Sequence, residues 1–329
     1  MEATGTFRLG LAFAVASALS FGMSGPLGKA LMHAGWTPTA AVTARLVGGA
    51  LVLAIVATVV HRNWLREAFT YRRTVLFYGV IPIAGAQLCY YNAVAHMSVG
   101  VALLLEYLSP VLVVGWLWAT TRHRPGNLTL AGVAMAIGGI MLVLNVFAGS
   151  HVDVVGVFWA LAAAVCAACY FVVSDRAAAD GTGLHSITLA AGGLVVGAIA
   201  ISMLGVSGVL PLAFTTHDTV VAGATTSWLV PAIALAVVPT ALAYTLGIMG
   251  IARLRPRFAS LVGLTEVMAA VLWAWLLVGE AITASQGIGG MVVLLGLALA
   301  RHGDRTQILD ELPALPVHPE QTTAADRSV

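Results

Sequence analysis

Three ionisable residues sit deep inside otherwise apolar runs of this 329-residue chain: Arg45, Glu106 and Glu266. A charge at the centre of a bilayer costs about 2.5–3.5 kcal/mol on insertion scales, so such a residue usually marks a transport pathway or an ion pair. Each type suggests a distinct chemistry. A guanidinium can hold a carboxylate, and a desolvated carboxyl can exchange protons near neutral pH. Arg45 therefore either binds an anionic group of a substrate or neutralises Glu106 and leaves Glu266 as the proton carrier. The bland alternative is a static pair that fastens helices together. Neutral neighbours extend the set. Gln87 and Tyr91 are four residues apart and share a helix face. Tyr107 adjoins Glu106, and Tyr244 lies in the inner part of its apolar run, although buried tyrosines often only pack with a satisfied hydroxyl. Glu280 falls near a membrane boundary and reads as a cap or anchor for a neighbouring helix end.

The elements that must carry these residues follow from composition. The chain is 60% hydrophobic and 9% charged, with mean hydropathy +0.95. Soluble domains carry about 25% charged residues, so a water-facing globule, soluble enzyme or binding module is excluded. A spanning helix needs about 20 apolar residues. Runs of that kind lie at 9–29, 38–60, 75–95, 99–120, 128–148, 154–174, 185–206, 228–250, 256–278 and 284–301. The fold class is therefore all-α integral membrane with ten transmembrane helices. The first run is too long for the apolar core of a signal peptide and lacks a clear cleavage site, so it reads as a retained helix.

Lys and Arg positions orient the bundle. With the N-terminus in the cytoplasm, fourteen basic residues fall inside and one, Lys29, outside, while Arg45 is within a span. Both termini are then cytoplasmic. Arg45 and Glu106 each lie seven residues below the outer end of their runs, about 10 Å deep at about 1.5 Å per residue. Their equal depth makes an Arg45–Glu106 pair possible, which would relieve much of the cost of both. Glu266 reaches about 15 Å by the same rise, the midplane. After 302 the chain turns polar, with Pro313, Pro316 and Pro319, and residues 303–329 read as a disordered cytoplasmic tail.

Other motifs are set aside. Residues 22–30, G-M-S-G-P-L-G-K-A, lack the spacing, the Ser/Thr and the preceding strand of a phosphate-binding loop. Cys166 and Cys169 form C-x-x-C within an apolar helix without a second pair, so packing explains them, and no metal-binding pattern is present. No cofactor is implied. The basic loops are topology signals, so nucleic acid is not a partner.

A shift of 157 residues superposes Val80 on Val237, Pro82 on Pro239, Ala102 on Ala259, Trp116 on Trp273, Trp118 on Trp275 and Gly132 on Gly289. The chain thus reads as a first five-helix repeat (1–148), a second (149–302) and the tail (303–329). Five helices per repeat force opposite orientations, the inverted-repeat plan of many secondary transporters. Pro82, Pro110 and Pro239 are candidate hinges, since proline removes a backbone donor and kinks a helix. The tryptophan pairs suit interfacial belts. Gly132, Ala136, Gly139, Gly193, Gly197, Gly289 and Gly296 are spaced for close helix packing.

These features resemble the drug/metabolite transporter superfamily, in particular its EamA-type exporters, and most nearly the threonine/homoserine exporter branch. The likeness spans about residues 8–301. It is carried by Arg45, L-F-Y-G-V at 76–80, V-A-L-L-L-E-Y-L-S-P at 101–110, A-R-L-R-P-R-F-A-S-L-V-G-L-T-E at 252–266 and V-G-E-A-I-T-A-S-Q-G at 278–287. The chain departs from it at Arg122-His123, opposite Gly279-Glu280 of the second half, and at Val267, where close relatives carry proline. The resemblance implies that Gln87 aligns with a cavity-facing amide. It also implies a bacterial inner-membrane secondary transporter, not an enzyme, acting as a monomer or homodimer by alternating access. Its expected cargo is a small amino acid, exported against inward proton flow. Rival readings are an exporter of aromatic amino acids or toxic organic cations, an uncoupled facilitator, and a membrane-embedded enzyme, for which no catalytic cluster is evident.

Overall fold

A computed structural model describes residues 2–122, 124–144, 153–179, 184–251 and 256–311. The chain is almost wholly helical. In the first half lie α1 (Glu2–Gly22), α2 (Ser24–His33), α3 (Pro38–Val60), α4 (Trp64–Thr70), α5 (Arg72–Tyr78), α6 (Ala86–His96), α7 (Val99–Glu106), α8 (Ser109–Thr121) and α9 (Asn127–Val143). The second half holds α10 (Val154–Ala179), α11 (Ser186–Val206), a hairpin of β1 (Thr219–Val221) and β2 (Ala224–Thr226), α12 (Leu229–Ala236), α13 (Ala243–Ile251), α14 (Pro256–Val278) and α15 (Ala284–Glu311).

Seven helical stretches among the described residues are long and apolar enough to cross a membrane. They are Leu9–His33, Pro38–Val60, Arg72–His96, Val99–Thr121, Ser186–Val206, Leu229–Gly247 and Ala284–Gly303. Shorter apolar helices, Asn127–Val143, Val154–Tyr170 and Thr265–Val278, occupy the other expected runs. Residues 145–148 of one run and the basic turn at 252–255 lie outside the described residues. One boundary needs correction: α15 continues to Glu311, so 303–311 are helical rather than tail. Extending a helix that already exists avoids the cost of nucleation. Residues 312–329 lie outside the described residues.

Two breaks in regularity shape the interior. Residues Gly79–Gly85 and Val237–Leu242 wind as π-helix around Pro82 and Pro239, and both prolines are buried. Proline offers no N–H to the carbonyl four residues back, and widening the turn relieves its ring. At the second site that carbonyl belongs to Leu235, and Thr240 Oγ1 donates to it at 3.3 Å. The other break separates α7 from α8 at Tyr107–Leu108, with Pro110 in the first turn of α8. Its counterpart under the 157-residue shift is Val267, 2% exposed inside the continuous α14. A residue with an N–H there lets the helix run on.

Helices α9 and α15 pack closely and antiparallel through glycines. A Cβ on Gly139 would lie 2.7 Å from Val293 N and 2.8 Å from Gly289 O, and one on Gly289 would lie 2.7 Å from Val143 N and 2.8 Å from Gly139 O. Gly132 likewise faces Gly296 and Ala300, and Gly296 faces Gly132 and Ala136. Adding 157 to each first-half residue returns the same contacts with the helices exchanged. The β hairpin turns through Ala222 (φ 54°) and Gly223 (φ 77°), both left-handed as its two-residue turn demands.

Candidate functional site

Arg45 is 4% exposed on α3, and three other elements converge on it. Its Nη1 donates to Ser24 Oγ of α2 and to Gln87 Oε1 of α6. Its Nε reaches Thr240 Oγ1 of the second half's π-helical segment at 3.4 Å. The guanidinium carbon stands 6.0 Å from the Tyr91 ring centroid, within cation–π range. Tyr91 is fully buried, donates to the Ser24 carbonyl at 3.0 Å and lies 3.1 Å from Ser24 Oγ.

Small residues make this convergence possible. A Cβ on Gly28 would strike the Tyr91 ring, one on Gly25 the Tyr90 hydroxyl, and one on Gly49 the Thr240 methyl. The glycines of the 22–30 stretch thus admit tyrosines, not phosphate.

Of the roles open to Arg45, a contact ion pair with Glu106 is not found among the described residues. Every described partner of Arg45 is a neutral oxygen or an aromatic ring. Similar depth along two helices does not fix azimuth, and the Arg45 guanidinium is bonded instead to Gln87 and Ser24. Glu106 closes α7 and makes no hydrogen bond or ion pair among the described residues. Tyr107, the next residue, donates to Glu266 Oε2 at 2.8 Å and so joins the two halves. Tyr244, half-buried on α13, packs edge-on to Phe21 with centroids 5.1 Å apart and contacts neither Arg45 nor Glu266 by hydrogen bond. Pro82 and Pro239 lie in the π-helical segments, and Pro110 follows the α7–α8 break.

The sequence therefore located Arg45, Gln87 and Tyr91, which the structure joins, and Tyr107 and Glu266, which it joins separately. Ser24 and Thr240 went unnoticed because hydroxyls are common in membrane helices. The one usable signal was that Thr240 follows a proline with a counterpart in the other half. Glu280 accepts from Val99 N at 3.0 Å, the role of cap to a neighbouring helix that its position suggested. Cys89, Cys166 and Cys169 are free thiols.

Among known proteins, the threonine/homoserine exporter RhtA of Salmonella typhimurium (strain SL1344) is 30% identical over 254 residues, 74% of each chain. The uncharacterized inner membrane transporter YicL of Salmonella typhimurium (strain LT2) is 24% identical over 306 residues, covering 90% of this chain and 96% of its own. One crystal structure matches with a TM-score of 0.60 at 20% identity, over 92% of this chain and 99% of that chain, a likeness of fold. The EamA-like transporter family matches residues 8–145 and 154–301. With nearly the whole membrane region covered, this chain belongs to the EamA-like transporter family and is a membrane transporter rather than an enzyme.

Proposed function

We propose that the chain exports a small zwitterionic amino acid across a bacterial inner membrane by alternating access of two inverted five-helix repeats, 1–148 and 149–302. The observation that carries this reading is Arg45: a buried guanidinium, reached by both halves and held only by neutral groups. Burying a charge without a counter-ion is costly, and a substrate carboxylate arriving there relieves that cost through charge-assisted hydrogen bonds. Glu106 and the Tyr107–Glu266 pair supply negative charge for an ammonium group or a site for the exchanged proton. A cationic cargo fits less well, because Arg45 would repel it.

The repeat plan is supported by the paired π-helical prolines, by the self-equivalent contacts of α9 and α15, and by the two matched stretches. Two antiparallel helices whose contacts survive exchange of the halves relate by a two-fold axis perpendicular to their length. For membrane-crossing helices such an axis lies in the membrane plane, the relation of inverted repeats. Threonine is the first cargo to try, since the exporter that is 30% identical to this chain over 254 residues is named for it.

The deciding experiment is counterflow of labelled threonine in proteoliposomes, wild type beside Glu266→Gln, with and without a pH gradient. The expected result is saturable counterflow, driven uphill by the gradient in wild type but not in the variant. No signal with threonine, homoserine or other amino acids in folded protein rejects amino-acid export, and the same vesicles then test aromatic cargo and organic cations. Transport indifferent to the gradient identifies a facilitator.

A further inference from the structure

At the end of the bundle assigned to the outer face, Lys29 of α2 is ion-paired with Glu280, two residues beyond α14. The pair is withdrawn from solvent, with side chains 17% and 18% exposed. Lys29 also donates to the Met97 carbonyl at 2.9 Å, while the second oxygen of Glu280 accepts from Val99 N, the first residue of α7. The segment before α12 lies across the same end. Thr219 Oγ1 donates to the Ala30 carbonyl at 2.7 Å, the Trp36 indole donates to the Thr215 carbonyl at 2.8 Å, and Ala222 N–H donates to the Leu277 carbonyl at 2.9 Å. First-half and second-half elements are thus tied together there.

Ser98 makes the arrangement informative. It occupies the N-cap position of α7 with the extended backbone of a capping residue, φ −67° and ψ 148°. Such a serine ordinarily accepts from an N–H in the first turn. Its Oγ is instead buried without a hydrogen-bond partner, and α7 borrows its cap from Glu280 across the boundary between halves. A buried orphan hydroxyl is costly, yet this one needs only a side-chain rotation to become a cap.

We propose that Lys29 and Glu280 form the outer gate of the transport path, and that Ser98 is its reserve cap. When the gate parts, Glu280 leaves Val99, and the Ser98 hydroxyl turns to accept from the N–H of Gly100 or Val101. The opened state therefore keeps α7 capped. Helix α7 also carries the gate inward. Gly100 rests on α14, where a Cβ would lie 2.7 Å from Val271 Cγ2; Glu106 ends the helix, and Tyr107 is bonded to Glu266. Lys29 and Glu280 are positioning residues for that centre. This last step rests on the transport role given above to Glu106 and Glu266, whereas the gate itself does not.

Two measurements on the full chain in proteoliposomes separate these claims. The first needs no substrate: hydrogen exchange of backbone amides over 97–104. Glu280→Gln removes the ion pair but keeps an oxygen for Val99 N, and it should speed exchange about fivefold, the scale of one ion pair at the edge of solvent. Ser98→Ala denies the open state its cap and should slow exchange by a similar factor. Shifts in the same direction, or no shift in either, overturn the proposal. In the second, the Lys29→Cys/Glu280→Cys variant, with native cysteines changed to alanine, is oxidised and assayed for counterflow. Loss of transport that reduction restores supports the gate, while cross-linked protein moving cargo at the uncross-linked rate overturns it. If no cargo is found for wild type, the exchange result still decides the gate, and only the transport reading fails.

Discussion

Arg45 is the residue at which the rival readings part. A static ion pair would have placed Glu106 against it, but its partners are Ser24, Gln87, Thr240 and the Tyr91 ring. Lysine keeps the charge and loses the planar fork that grips a carboxylate. Arg45→Lys is accordingly expected to raise the half-saturating concentration of cargo at least about tenfold, the equivalent of one charge-assisted bond. Folding, checked by gel filtration in detergent, should be preserved. An unchanged half-saturation would return Arg45 to a structural role. The sequence exposed Arg45 because a guanidinium in an apolar run is conspicuous. It could not expose Ser24 or Thr240, whose hydroxyls ordinarily bond their own helix backbone, nor show that Arg45 takes them rather than Glu106 as its contacts.

At the scale of elements, apolar length located the long helices but passed over the short α4 and the β hairpin, and further losses were at boundaries and irregularities. Hydropathy is blind to the π-helical turns around Pro82 and Pro239, and it reads the chain on either side of Tyr107–Leu108 as one span. Pro110 follows that break, and Val267 in the equivalent place leaves α14 whole. The close packing of α9 on α15 predicts that Gly289→Leu destabilises the bundle by about 1–3 kcal/mol through overpacking, visible as a lower melting temperature in detergent. Gly287→Leu on the same helix meets open space and should melt as wild type does. A second tether joins α4 to α11. Burial pushes the Glu67 carboxyl up, but hydrogen bonds from Thr188 Oγ1 (2.5 Å), the His185 N–H (2.7 Å) and His61 (2.8 Å) outweigh it and hold the group below its ordinary 4.5. With the folded value depressed, this tether contributes fully above about pH 4.5 and is lost as pH falls through the lower value. Glu67→Gln should therefore lower the melting temperature at neutral pH and narrow the gap from wild type in acid.

For the whole molecule, the charge count makes a prediction of its own. With fourteen basic residues on the side of 61–71 against Lys29 on the other, the positive-inside bias predicts 61–71 and both termini in the cytoplasm and the β hairpin outside. An impermeant maleimide applied to intact cells should label Thr225→Cys and spare Arg66→Cys, and the reverse pattern would invert the proposed direction of every gate and path. Charge asymmetry acts on whole loops and so yields a topology prediction from the sequence, whereas the convergence on Arg45 depends on packing between distant segments. The seam of α9 and α15 carries one further implication. Because Gly139 meets Gly289 as its equivalent Gly296 meets Gly132, the surface is self-complementary, and a helix like either one would recognise a copy of itself. Duplication and fusion of a five-helix ancestor that paired antiparallel about a two-fold axis would leave such a mark. Each half of the present chain still carries, in three glycine and alanine positions, the address of its twin.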